Sequence, residues 1–173
     1  MRVAVGVTTA VVFGAALTAS MSDPDPLDDP DPAMQRAGIL DVVGPRSPAV
    51  ALDATVPARG RVAVVFFLRP TQADPLVSAL DSPPGQELRE LVDIGIVVSA
   101  GASEVTPSDP ATTVAADPDG RLAAAYRMRR PRDGGPPVGY AVVDVDGTIR
   151  YRTEDPGVAD GLDEVLTIVD AVR

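Results

Sequence analysis

The central part of the chain alternates short apolar runs with amphipathic stretches. Residues 62–68 and 94–98 are unbroken apolar runs of strand length, which is typical of strands buried on both faces. Between them, apolar residues recur at helical spacing. The breaker Pro-Pro-Gly at 83–85 divides this stretch, so we expect one helix before it and a second over 86–92.

Turn and cap signals mark the ends of these elements. Asp74 followed by Pro75 predicts that the first helix begins there, because Asp caps free N–H groups and Pro needs no donor at the first helical position. Residues 114–116 favour a short extended piece, and Asp-Pro-Asp-Gly at 117–120 favours a turn. The helix predicted after this turn carries Leu122, Ala123, Tyr126 and Met128. Residues 129–137 contain too much Pro and Gly for regular structure.

The C-terminal part predicts a hairpin and a closing helix. Residues 140–143 and 148–151 are strands joined at Asp146-Gly147, a strong hairpin signal, and a turn follows at 155–157. The final helix carries Leu162, Val165, Leu166, Val169 and Val172. A strand-helix-strand unit makes its two strands parallel, whereas a hairpin adds antiparallel ones. The sequence therefore predicts an α/β protein with a central mixed sheet and helices on both faces.

The N-terminal region follows another pattern. After Arg2, residues 3–21 are apolar and densest at 10–17, and small residues follow at 18–20. This pattern predicts an export signal or, at close to the roughly 20 residues that span a bilayer, an uncleaved membrane anchor. A buried strand is the alternative. A nucleotide-binding start is excluded because no glycine-rich turn follows.

Residues 22–33 form an acidic stretch in which Asp alternates with Pro. Proline fixes φ and clustered Asp repels itself, so we expect an extended, solvated linker. A calcium site is disfavoured, since the stretch has neither a Gly turn nor a distal Glu. We interpret residues 34–48 as a docking segment, with a short helix at 34–43 as the alternative. A short edge strand at 49–52 then opens the domain, which covers 49–173.

Composition removes several kinds of chemistry. The net charge of −10 argues against nucleic-acid and acidic-membrane partners. The chain has no Cys and no His, and every cation is Arg. Thiolate, imidazole and Schiff-base catalysis are therefore absent from this chain, and we expect no metal or other cofactor. The absence of Lys and Asn, whose codons are A-rich, indicates a GC-rich and bacterial genome.

Three segments resemble a known family. Residues 114–126 (Val-Ala-Ala-Asp-Pro-Asp-Gly-Arg-Leu-Ala-Ala-Ala-Tyr) are similar to the segment before the second helix of peroxiredoxins. Residues 140–150 (Tyr-Ala-Val-Val-Asp-Val-Asp-Gly-Thr-Ile-Arg) are similar to the family's hairpin, and 62–68 to the strand that precedes its active site. The resemblance covers about 49–173. It implies a thioredoxin-like fold, in which cysteine thiolates normally reduce peroxides or disulfides.

The resemblance also places the family's active site on this chain. The nucleophilic cysteine falls at Gln72, or at Thr71 if the loop shifts, and a resolving cysteine falls near Pro75. The peroxiredoxin arginine falls at Val138, and the cis-proline of thioredoxins falls there too, one residue from Pro137. Since none of these positions carries the family's reactive group, we expect no catalytic residue.

A binding surface is the remaining prediction for this site. In the implied fold, the loop after Leu68 and the loop at 136–137 lie together at one end of the sheet, where redox relatives hold an extended peptide. The candidate binding residues are Arg69, Thr71, Gln72, Pro136, Pro137, Arg129 and Arg130. The last two belong to a basic loop that also contains Arg127 and Arg132. This loop could bind an anionic partner segment or be a solvated loop that balances the chain's own acids.

Two further patterns have structural interpretations. Asp-Val-Asp-Gly at 144–147 is a hairpin turn, because its spacing does not fit a calcium loop. Tyr126, Tyr140 and Tyr151 are expected in the core rather than in a ligand cage.

The sequence therefore favours an exported, non-catalytic module that binds another protein. One alternative is an oxidoreductase of the peroxiredoxin class, which rests on the resemblance alone. The other is a structural domain of the cell envelope.

Overall fold

The computed structural model describes residues 40–41, 47–53 and 56–173. These residues form one mixed sheet of seven strands with four α-helices. The strands are β1 (Leu40–Asp41), β2 (Ser47–Pro48), β3 (Ala63–Leu68), β4 (Asp93–Val98), β5 (Thr113–Ala116), β6 (Gly139–Val143) and β7 (Thr148–Glu154). The helices are α1 (Pro70–Leu80), α2 (Pro83–Leu91), α3 (Arg121–Ala125) and α4 (Leu162–Val172).

The strand order is β1-β7-β6-β3-β4-β5, and β2 also pairs with β7. Strands β3, β4 and β5 are mutually parallel, whereas β6 is antiparallel to both β3 and β7. The predicted parallel unit and the predicted hairpin are therefore both confirmed. Gly147 takes the positive φ of 79° that the hairpin turn requires. The extended piece expected at 114–116 is a parallel strand at the edge of the sheet.

Side chains of β3 supply the core on both faces of the sheet. Val64 and Phe66 belong to the cluster formed with α1, α2 and α4, whereas Val65 and Phe67 belong to the cluster that contains α3. Each such side chain stabilises the fold by about 1.5–3 kcal/mol on full burial. The prediction of helices on both faces is thus confirmed.

The three tyrosines are core residues, as predicted. Tyr126 is fully buried against Phe67, with ring centroids 5.3 Å apart, and its hydroxyl donates to the Val50 carbonyl at 2.8 Å. Burial raises the pKa of Tyr126 above its usual range. Tyr140 and Tyr151 pack on each other on the opposite face, with centroids 5.8 Å apart.

The predicted start of α1 at Asp74 and Pro75 is wrong. The helix begins at Pro70, and Pro75 lies inside it. Two proline signals competed in this stretch, and Pro70 has the better local support because the Gln72 Oε1 accepts the N–H of Arg69 at 3.1 Å. Pro75 has no N–H for the Thr71 carbonyl, so the helix continues with one hydrogen bond fewer.

The breaker at 83–85 also acts differently from the prediction. The chain does break between Leu80 and Pro83, but Pro-Pro-Gly forms the first turn of α2 rather than the gap. Proline is tolerated in a first turn because its missing N–H has no helical partner there. A Cβ on Gly85 would collide with the backbone of Leu80, so only glycine permits this tight junction.

Two smaller predictions are corrected. The edge strand expected at 49–52 lies instead at Ser47–Pro48, and only the Ala49 N–H continues the pairing, at 2.8 Å from the Gly147 carbonyl. The helix predicted through Met128 ends at Ala125, because Arg127 takes a positive φ of 55°.

The N-terminal predictions fall mostly outside the described residues. The apolar run at 3–21 and the acidic linker at 22–33 are not described. Of the docking segment at 34–48, residues 40–41 and 47–48 are described, and both pairs are extended and paired with β7. Among the helices that the structure describes, none is long and apolar enough to cross a membrane.

Candidate functional site

The loop after β3 and the loop before β6 lie together at the carboxyl end of the sheet. The Arg69 Nε donates to the Pro136 carbonyl at 3.1 Å, and its Nη2 forms an ion pair with Asp133 at 2.8 Å. The Gly135 N–H donates to the second Asp133 oxygen at 2.8 Å. This N–H and the Arg69 guanidinium together lower the pKa of Asp133. The structure thus shows the predicted juxtaposition, while the binding role of these loops stays a prediction.

The positions of the family's cysteines lie at the start of α1 and have structural roles here. The Gln72 Oε1 accepts the Arg69 N–H, and its Nε2 is 3.5 Å from the Pro156 carbonyl. Thr71 and Pro75 are exposed on the helix. An amide that caps its own helix has no nucleophilic atom to offer, so these positions carry no remnant of thiol chemistry.

Val138, the position of the family's arginine, is a core residue. It is 6% exposed and packs with α1, α2 and α4, while its carbonyl accepts the Asp155 N–H at 2.9 Å. Its side chain therefore belongs to the hydrophobic core. The peptide bond before Pro137 is trans, since Val56–Pro57 is the cis bond within the described ranges.

A groove of about 600 Å³ opens at the same end of the sheet, beside α3. Its floor is apolar, with Phe67, Val97, Ala123 and Met128. Its walls combine the ends of β3 and β4 with the turn at 117–120 and the loop at 134–137. Arg130, Pro136 and Pro137 are the predicted binding residues that line it. Arg69 lies behind the loop that forms one wall, whereas Arg129, Thr71 and Gln72 do not line the groove.

Asp117 fixes the wall that α3 provides. It follows β5 directly and is 7% exposed. Its Oδ1 accepts the Leu122 N–H at 3.0 Å, and its Oδ2 accepts the Ala123 N–H at 2.9 Å. A carboxylate that accepts two N–H groups at a helix start is a strong cap. Both oxygens are therefore engaged, and Asp117 is not a free acid at the groove.

The arginine loop, residues 127–132, contributes Met128 and Arg130 to the lining of the groove. It starts at the C-terminus of α3, where the Arg127 N–H donates to Ala124 and the Met128 N–H donates to Ala123, at 3.0 and 2.9 Å. This hydrogen-bond pattern normally has glycine in place of Arg127. Arg127, Arg129, Arg130 and Arg132 are all exposed.

The groove contains no residue that could carry out thiol or imidazole chemistry. The chain contains no Cys and no His, and Asp117 is committed to capping. Within the part of the chain that the structure describes, no cluster of acids could hold a metal ion. The lining combines apolar side chains with Arg130 and the exposed Asp119, and an apolar lining with a few polar groups is typical of ligand sites.

Several groove residues were not predicted. Ser99, Ala124, Met128 and the turn at 117–120 line it. The sequence predicted a turn at 117–120 and a helix through Ala124 and Met128, and it gave no role to Ser99. One signal was present in the element order. The carboxyl ends of parallel strands share one edge, so the residues that directly follow β3, β4 and β5 had to meet there.

This chain is similar to known proteins in structure but not detectably in sequence. No family model matches the chain, and no curated protein is significantly similar to it. The Xanthomonas campestris bacterioferritin comigratory protein, studied for alkyl peroxide reduction, is 16% identical at a TM-score of 0.49, over 65% of this chain and 80% of that one. A secreted Mycobacterium tuberculosis disulfide oxidoreductase homologous to Escherichia coli DsbE is 20% identical at 0.45, over 72% and 95%. A Plasmodium vivax 2-Cys peroxiredoxin is 13% identical at 0.46, over 77% and 94%.

These identities and TM-scores carry nothing about the chemistry or location of this chain. Its fold follows from its own strand order, its parallel β3–β4 unit, its β6–β7 hairpin and its helices on both faces. The α/β architecture that the sequence predicted, a central mixed sheet with helices on both faces, is therefore confirmed. The chain is similar in structure to the peroxiredoxins and the disulfide oxidoreductase named above, and it has no cysteine.

Proposed function

We propose that this chain is an exported, non-catalytic module that holds an extended segment of another protein in the groove beside α3. The observation that carries the proposal is the groove itself. It has an apolar floor, a Gly-Gly-Pro-Pro wall and Arg130 in its lining, and it lies where two loops meet at the end of the sheet. Its export rests on the apolar run at residues 3–21.

A peptide fits this lining better than a compact, highly polar ligand. The wall at 134–137 contains only glycine and proline, so no long side chain keeps an occupant from the backbone groups there. Main-chain hydrogen bonds to such groups, with side chains placed in apolar pockets, are a common mode of binding extended segments. The volume lies within the roughly 300–1,000 Å³ of typical ligand sites.

Filling the groove should abolish peptide binding. Ala124 is exposed and lines the groove, so Ala124→Trp places a large ring in it without disturbing the core. Peptides selected from a random display library against the wild-type chain should shift the amide resonances of Gly134 and Gly135. With Ala124→Trp we expect at least about a tenfold loss of affinity, because the apolar contacts in the groove supply most of the binding energy.

The matched control is Ala111→Trp, on an exposed loop residue that does not line the groove. It should bind the selected peptides as the wild type does. Peptides that bind both variants equally, or that shift resonances elsewhere, would show that the groove is not the binding site.

The enzyme alternative predicts a different result. The purified chain, mixed with peroxide and a dithiol donor, should consume peroxide no faster than the donor does alone, because no residue of the chain can form a sulfenic acid on cysteine. Peroxide concentration followed over time measures this. Turnover well above the donor background, retained after repeated purification, would overturn the non-catalytic part of the proposal.

A further inference from the structure

Within the described ranges, the cations of the arginine loop have no acid partners, whereas six other arginines do. No side chain of Arg127, Arg129, Arg130 or Arg132 forms an ion pair or a hydrogen bond with any residue that the structure describes. The arginines that pair with carboxylates are Arg61, Arg69, Arg89, Arg121, Arg150 and Arg173. The loop therefore places four positive charges within six residues of a chain whose net charge is −10.

The arginines at and below this loop are held under locally unfavourable conditions. Arg127 occupies a left-handed conformation that glycine adopts without steric conflict. Arg152, 6% exposed, lies under the same turn, where its Nη1 is 3.4 Å from the Tyr126 carbonyl. Burial lowers the pKa of Arg152, and the charge of Arg127 lowers it further. An anion bound at the loop would offset this repulsion.

The chain itself contains a matching anionic segment. Residues 22–33 hold five aspartates, four prolines and no cation. Proline restricts φ, so a segment with four prolines loses less conformational entropy on docking than an ordinary segment of that length. Its charge is opposite to that of the arginine loop.

The register of the sheet places the attachment of this segment at the end that carries the groove. Leu40 pairs with Glu154, Glu154 with Gly139, and Gly139 with Phe67, which lines the groove. Strand β7 runs parallel to β3, and β1 is antiparallel to β7, so the chain enters β1 from the groove end.

The distances are short enough for docking within one molecule. From β1 to β3 there are three strand spacings, or about 14 Å. Residues 34–39, between the acidic segment and β1, can span up to about 20 Å. A tether of this length gives an effective concentration of about millimolar order, so that weak ion pairs add up to substantial occupancy.

We propose that the acidic segment 22–33 docks on the arginine loop of its own molecule and occupies the groove border until a partner displaces it. The docking is inferred from the strand register and the charges, and only its displacement by a partner rests on the proposed function. A partner that displaces this Asp/Pro segment should itself be acidic and rich in proline.

Zero-length cross-linking tests the docking in the full chain, in detergent. The chain has no lysine, so Arg130→Lys introduces a single side-chain amine and keeps the charge. A carbodiimide joins such an amine to a carboxylate in direct contact. We expect cross-links to the aspartates of 22–33 in the monomer, at about tenfold the yield of Arg59→Lys, because the tether favours the intramolecular contact. Arg59 is exposed and lies at the opposite end of the sheet.

The outcomes separate docking from its alternatives. About 1 M NaCl shortens the screening length to roughly 3 Å and should remove the cross-links. Equal yields from Arg130→Lys and Arg59→Lys, or cross-links that appear only in dimers, would overturn docking within one molecule.

A second variant separates this inference from the proposed function. The neutralised chain carries Asp23→Asn, Asp25→Asn, Asp28→Asn, Asp29→Asn and Asp31→Asn. It should bind groove peptides about fivefold more tightly than the wild type, since affinity falls in proportion to the fraction of free groove. Unchanged affinity would overturn the docking while leaving the proposed function intact. A neutralised chain that binds no peptide would instead overturn the proposed function, whatever the cross-links show.

Discussion

Gly139→Ala should destabilise the protein by about 3 kcal/mol or more, which is a large fraction of the 5–15 kcal/mol that holds a domain together. Gly139 opens β6, directly after the proline loop of the groove, with a positive φ of 154°. A Cβ there would collide with the Thr153 carbonyl of β7. Neither strand can shift without breaking pairs, because Gly139 also pairs with Phe67 of β3. Chemical denaturation followed by circular dichroism measures the loss.

Gly147→Ala is the matched control. Gly147 also has a positive φ, of 79°, but nothing lies within 4 Å of the added Cβ. The Gly147→Ala variant should therefore lose only about 1–2 kcal/mol of stability, which is the cost of placing a residue with a Cβ in the left-handed conformation. If both variants lost the same amount, the contact with Thr153 would not determine the requirement for glycine at 139.

Asp117→Ala should cost about 2–4 kcal/mol, because it leaves the N–H groups of Leu122 and Ala123 without their acceptor at a largely buried helix start. The same change should loosen one wall of the groove. Denaturation measures the first effect, and amide hydrogen exchange at Leu122 and Ala123 measures the second. Faster exchange at these two amides than elsewhere in the helix would locate the damage at the cap.

Asp119→Ala provides the comparison within the same turn. Asp119 is exposed, and its ion pair with Arg121 spans 3.4 Å in solvent, so its removal should change stability by less than about 0.5 kcal/mol. Asp117→Asn, which keeps one acceptor oxygen, should fall between the two alanine variants. A loss for Asp119→Ala as large as that for Asp117→Ala would contradict the capping role.

The sheet could be predicted because its signals are local and strong. Residues 62–68 are so apolar that only a strand buried on both faces accommodates them, and the hairpin turn at Asp146-Gly147 fixes the pairing of its neighbours. The start of α1 could not be predicted, since Asp74-Pro75 and Arg69-Pro70 carry similar signals. The side chain of Gln72 and the packing of the helix decide between them.

The candidate site was predicted only in part for a related reason. The loops at Arg69 and Pro136 lie together because of the order of the strands, so their juxtaposition could be predicted from the sequence. Which face of the sheet opens as a groove depends on how far α3 extends, and Arg127 ends that helix early. The engagement of Asp117 and the lack of acid partners at the arginine loop depend on distances in the folded chain.

The contact of Arg69 with the loop at 133–136 has a kinetic consequence. Arg69 holds the Pro136 carbonyl and Asp133 before any partner arrives, so this wall of the groove does not have to close around its occupant. Association should then proceed at the roughly 10⁵–10⁷ M⁻¹s⁻¹ of prearranged surfaces, and differences between partners should appear in how long they stay. With the thiol absent, the lifetime of the complex would depend on non-covalent contacts alone.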